Sequence, residues 1–87
     1  MARYAVFFTT SADKARRKLP KALQERFATV AKDLGDDPRP HGCIKLKGAD
    51  SLWRIRVGDY RLVYSIEDDE LIVLVVRVAH RKDVFQA

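Results

Sequence analysis

The chain has 87 residues, enough for one small domain with a modest core. Apolar residues make up 47% and charged residues 33%, an ordinary balance for a globular protein, and the longest apolar run, LIVLVV (71–76), is far too short to span a membrane. Lys and Arg number 17 against 12 Asp and Glu, a net charge of +5, which favours an anionic partner: nucleic acid, an acidic protein or an anionic membrane. Cys43 is the only cysteine, so an internal disulfide and a thiol-built zinc site are both ruled out. The N-terminal apolar stretch AVFF (5–8) is too short for a signal-peptide core, and the expected location is the cytoplasm.

In chain order, RYAVFFT (3–9) is rich in β-branched and aromatic residues and reads as a strand. TSAD (10–13) fits a capping box with Thr10 or Ser11 at the cap, opening a short helix whose inner face is Ala12, Ala15 and Leu19. Pro20 interrupts that helix and suits the first position of a second one. There Leu23, Phe27, Val30 and Leu34 form an amphipathic stripe. Gly35 reads as its stop, followed by turn material in DDPRPHG (36–42).

From Cys43 onward the period changes to two. CIKLKG (43–48) alternates and reads as a short strand or an extended loop. LWRIRV (52–57) and YRLVYSI (60–66) alternate strictly. LIVLVVRVA (71–79) is nearly all apolar, as expected of a strand covered on both faces, and EDDE (67–70) is the turn before it. The expected fold is α+β, a single domain over residues 1–87 with two N-terminal helices packed on one face of a small antiparallel-rich sheet.

Within WRIRVGDYRLVY (53–64), Gly58-Asp59 suits a two-residue type II′ turn. Val57 then faces Tyr60, Ile55 faces Leu62 and Trp53 faces Tyr64, all toward the core. The other side carries Arg54, Arg56, Arg61 and Val63, with Arg56 opposite Arg61. Like charges so placed destabilise a sheet by a few tenths to about 1 kcal/mol. One reading is a solvated strand face, neutralised by Asp59 or a helix acid. The other is a phosphate site, because arginine offers a planar fork of donors matched to phosphate oxygens and keeps its charge. Arg77 extends this face if it shares it, Arg81 past the strand end nears the same edge, and Lys45 and Lys47 alternate just before the hairpin.

The series KLKG (45–48), WRIRVGDYRLVY (53–64), an apolar strand and VAHRKDVF (78–85), preceded by a KLP helix break (18–20), resembles the RelE/ParE toxin superfamily over nearly the whole chain. The resemblance implies a compact fold related to small microbial ribonucleases and the role of toxin in a type II toxin–antitoxin pair, neutralised by a cognate acidic antitoxin. RelE-like members are ribosome-dependent endoribonucleases that cut mRNA in the A site, so the implied partner is mRNA on the 70S ribosome. ParE-like members share the fold, poison DNA gyrase and generally lack the basic set. Arg54, Arg56, Arg61 and Arg81 fall where RelE-like toxins carry basic active-site residues, which tilts the expectation toward the ribonuclease branch. The alternatives are a ParE-like gyrase inhibitor and a non-catalytic RNA-binding module of the same fold.

This sequence departs from the family pattern twice. Some members have lysine where Arg54 and Arg56 stand, and arginine is a poor general base. Many have a tyrosine where this chain has Phe85, which can stack on a base but cannot transfer a proton. Cleavage without metal needs the 2′-OH to attack the adjacent phosphate. The arginines can stabilise the phosphorane. His80, Lys45 and Lys47 are the acid–base candidates, and a neighbouring Arg81 would favour neutral imidazole at His80. Lys45, Lys47, Arg77 and Phe85 are expected to contact RNA, while His41 reads as a bystander. No His, Cys and acid cluster has metal-ligand spacing, so neither a metal nor a small-molecule cofactor is expected, and no membrane partner.

Overall fold

The computed structural model describes residues 3–48 and 51–80. Strand β1 (Ala5–Phe8) leads into helices α1 (Thr10–Arg17) and α2 (Lys21–Asp36), followed by β2 (Ile44–Lys45), β3 (Leu52–Val57), β4 (Tyr60–Glu67) and β5 (Ile72–His80). The sheet order is β1-β5-β4-β3-β2. Neighbours are antiparallel except β1, which lies parallel to β5 with Ala5 beside Ile72 and Phe8 beside Val75. The fold is the expected α+β arrangement, with a mixed sheet.

The helix ends differ from expectation in ways set by the neighbouring strand. The cap of α1 is Thr9, not Thr10 or Ser11: its Oγ1 accepts from the Ala12 amide at 3.2 Å. The Thr9 amide is itself tied to Val75 O at 2.9 Å, so the chain leaves the sheet one residue earlier than the capping-box pattern implies. Asp13 turns to the helix surface and pairs with Arg16 and Arg17. Pro20 sits at the cap of α2 rather than inside it, its carbonyl accepting from Leu23 and Gln24 amides. The Gln24 side chain reaches back to the carbonyls of Leu19 and Arg17, satisfying acceptors left open where α1 ends.

Gly35 does not stop α2; it lies inside the helix and is buried. Its glycine has a packing cause. The Tyr4 amide donates to Gly35 O at 2.8 Å, and a Cβ on Gly35 would sit 2.9 Å from Tyr4 O. Backbone cannot retreat as a side chain can, so Gly35→Ala should lower stability by about 1–3 kcal/mol despite alanine's better helix propensity. Denaturant titration checks this; an unchanged or higher midpoint would show that the contact relaxes freely.

The core joins Ala12, Phe27 and Leu34 of the helices to Val57, Leu62, Tyr64, Ile66, Val73 and Val75 of the sheet. Both helices therefore cover the same sheet face. The apolar run of β5 suggested cover on both sides, and among the described residues no helix lies on the reverse face. There Phe7 is exposed and Ile72 and Leu74 are half-buried. β5 is an inner strand between β1 and β4, and its reverse face is only partly covered. No helix among the described residues is long and apolar enough to cross a membrane.

Candidate functional site

The hairpin register is the expected one: Val57 pairs with Tyr60, Ile55 with Leu62, Trp53 with Tyr64 and Arg56 with Arg61. Gly58 takes φ +61 while Asp59 stays at negative φ, the pattern of a type II′ turn. Val57, Leu62 and Tyr64 are buried under the helices, so Arg54, Arg56 and Arg61 are driven to the reverse face by the period of the strand alone. They do not scatter there. Together with Gly42 and Ile44 they line a pocket of about 220 Å³.

The register of the flanking strands sorts the remaining residues. Val63 pairs with Arg77, so Arg77 shares the arginine face and is exposed on it. Lys45 pairs with Trp53 and therefore belongs to the helix side, away from the arginines; Lys47 is exposed in the turn after β2. His80 pairs with Tyr60 on the helix side. Its ring packs edge-on against Tyr60 (centroids 5.0 Å), and Tyr60 packs edge-on against Phe27 (5.9 Å). The structure thus brings Arg54, Arg56, Arg61 and Arg77 to one face and sets His80 and Lys45 on the other. Arg81 and Phe85 lie outside the described residues.

No carboxylate among the described residues pairs with Arg54, Arg56 or Arg61; the ion pairs there involve Arg3, Arg16, Arg17 and Arg39. The neutralisation by Asp59 or a helix acid that a merely solvated face would use is not formed. Partial burial, and then the charges of Arg54 and Arg56, hold the Arg61 guanidinium below its ordinary pKa. It stays protonated at any working pH, and Arg54 and Arg56 add to the positive potential around it. Such a site can bind an anionic group, orient it and stabilise extra negative charge on it. Among the described residues its lining offers no histidine, cysteine or carboxylate. Among the described residues no three His, Cys, Asp or Glu side chains gather as metal ligands.

Two contributors are absent from the sequence reading. Ile44 stands across from Arg54, so it is the β2 residue that faces the pocket. The alternation of CIKLKG carried that signal, since Ile44 and Lys45 must take opposite faces, but only the register says which. The second is a strap on residues 37–43, the segment that delivers Gly42. Arg39 makes a two-pronged pair with Asp68 (2.8 and 3.2 Å), Tyr4 OH donates to Asp68 at 2.7 Å, and the Arg39 guanidinium lies 5.2 Å over the Trp53 ring. The buried Tyr64 OH donates to Pro38 O at 2.9 Å.

The strap makes a pH prediction. Hydrogen bonds from Arg39 and Tyr4 draw the Asp68 carboxyl down from the usual 3.8 to about 2. A depressed carboxyl contributes stability that is complete above its unfolded value and is lost as pH falls through the folded one. The contribution should therefore fade between about pH 4 and pH 2. Melting temperatures of the native chain and Asp68→Asn should differ at neutral pH and converge across that window. A constant difference down to pH 2 would mean that Asp68 is not the titrating group.

The chain and its fold are similar to known proteins. Residues 6–85 match the ParE toxin family of type II toxin–antitoxin systems, parDE. A RelE-like toxin protein of Escherichia coli is 39% identical over 82 residues, covering 92% of this chain and 85% of that one. The mRNA interferase toxin RelE of Escherichia coli K12 is 30% identical over 81 residues, covering 91% and 84%. Among solved structures, the archaeal RelE–RelB complex of Pyrococcus horikoshii OT3 superposes with a TM-score of 0.82 at 32% identity, covering 93% of this chain and 97% of that one. The chain belongs to the RelE/ParE toxin superfamily, on its RelE-like branch.

Proposed function

We propose that this protein is the toxin of a type II toxin–antitoxin pair and an endoribonuclease that cuts mRNA in the ribosomal A site, and so acts in the cytoplasm. The observation that carries the reading is the arginine cradle: three guanidinium groups fixed on a rigid hairpin, two of them directly opposed, with no described carboxylate to neutralise them. Like-charge opposition is unfavourable in a resting sheet and favourable once a phosphate bridges it. The mRNA interferase named among the relatives agrees with this use.

In this mechanism Arg54, Arg56 and Arg61 grip the phosphate at the cut site. The 2′-OH of the preceding nucleotide attacks phosphorus, the phosphorane's added charge is held by the guanidinium groups, and the bond to the 5′-oxygen breaks. Among the described residues the pocket lining offers no general base, so removal of the 2′ proton and protonation of the leaving oxygen fall to groups other than the three arginines. A cognate antitoxin with an acidic segment is the partner; the solved relatives include toxin–antitoxin complexes from Pyrococcus horikoshii and Mycobacterium tuberculosis. The same basic face would attract such a segment and cover the cradle.

The match to the ParE family favours a second reading, inhibition of DNA gyrase. Induction of the protein alone in a bacterium separates the two. Growth arrest with messages cut inside translated regions is the expected result. Intact messages with trapped gyrase–DNA complexes would replace the ribonuclease by the gyrase poison.

A further inference from the structure

The pocket has one wall that a phosphate site does not need. Ile44 is 49% exposed, one of the few large apolar side chains so open, and it sits on the two-residue edge strand β2. Edge strands are commonly protected by charge turned outward. Here the neighbouring Lys45 supplies a charge, yet the register turns Lys45 to the opposite side and leaves isoleucine beside Arg54. A slip of one residue would reverse the two. Across an antiparallel pair, opposed side chains stand about 5 Å apart at Cβ, so apolar surface and guanidinium are immediate neighbours.

Gly42 also lines the pocket; it takes φ +96, and among the described residues nothing lies within 4 Å of where its Cβ would be. At about 220 Å³ the pocket also exceeds the room a phosphate group fills, given that a water takes about 30 Å³. A site that joins an anion cradle to an open apolar wall fits a ligand that joins an anion to a flat apolar face. A nucleotide of single-stranded RNA has that form; in a duplex the base faces are hidden in the stack.

Resting on the ribonuclease reading, we infer that Ile44 is the base-side wall of the site: one unpaired nucleotide seats its phosphate on Arg54, Arg56 and Arg61 and lays the face of its base against Ile44. Isoleucine offers no hydrogen bond, so it holds the face and not the edge. Its contribution is tolerant of base identity, and it requires that a base be present.

The experiment measures binding of a 2′-O-methyl trinucleotide, which cannot be cleaved, and of an abasic trinucleotide of the same charge. The proteins are the native chain, Ile44→Ala, Ile44→Leu and Arg61→Ala, each checked for folding by circular dichroism. Ile44→Ala should bind the base-bearing probe about fivefold more weakly, the scale of about one methylene of lost apolar contact, and bind the abasic probe as the native chain does. Ile44→Leu should restore affinity, and Arg61→Ala should weaken both probes. Equal binding of the base-bearing probe by Ile44→Ala and the native chain, with Arg61→Ala still weak, would overturn the base wall and leave the cradle standing. No binding of either probe by the native chain, or indifference to Arg61→Ala, would overturn the cradle as well. If Ile44→Ala weakens an acidic peptide and not the trinucleotide, the wall belongs to a protein partner and the inference fails.

Discussion

Replacing Arg61 by alanine should lower RNA cleavage by about a hundredfold or more, the usual scale for removing one donor that holds transition-state charge. The Arg61 pKa is depressed by partial burial and by the charges of both Arg54 and Arg56. It also sits on β4, an inner strand, where it is paired with Arg56 on one side and Ala79 on the other. Arg61→Lys should recover only part of the loss, because a point charge replaces a planar fork. Stability should hold or rise slightly, since the substitution removes the repulsion across the Arg56–Arg61 pair. Single-turnover cleavage of a message on purified ribosomes, with a thermal melt of the same preparation, reads both effects. Cleavage at the native rate would mean that the cradle does not hold the reacting phosphate.

The second large effect belongs to the helix layer. Phe27 is fully buried at the centre of the core and begins the edge-on series that continues through Tyr60 to His80. Phe27→Ala should cost about 3–5 kcal/mol, the lost transfer energy together with an unfilled cavity. Against a typical total of about 5–15 kcal/mol for a domain, that is a large fraction of the stability. Phe27→Leu should cost much less, because most of the volume remains. Urea titration of the three proteins gives the ordering. A loss below about 1 kcal/mol for Phe27→Ala would show that the surrounding side chains close over the site.

The hairpin was legible in the sequence because two local rules determine it. A two-residue turn fixes the register, and a period of two then decides which side chains share a face; Arg54, Arg56 and Arg61 follow without further information. The stripe of α2 was legible for the same reason, with a different period. What escaped depends on contacts between distant segments. Gly35 looks like a helix stop until Tyr4 is seen to cross it. Arg39 and Asp68 lie in two stretches that read as turns, 29 residues apart, and nothing local announces their pairing. His80 and Arg77 are close in sequence, but a bulge in the pairing of β4 with β5, between Val63 and Tyr64, helps set which side each takes. The parallel pairing of β1 with β5 was likewise invisible, since a strand pattern carries no direction.

That parallel pairing orders events in time. Ala5 lies beside Ile72, so the first strand is separated from its partner by 67 residues of chain. At about 5–20 residues per second, a nascent chain waits roughly 3–13 s between making β1 and making the strand that holds it. Until then the helices have no completed sheet on which to bury Phe27 and Leu34, and the hairpin has no firm base. Such distant closure favours late, cooperative folding over gradual assembly. The arginine face is therefore expected to become a rigid site late, once β5 has entered the sheet between its two neighbours.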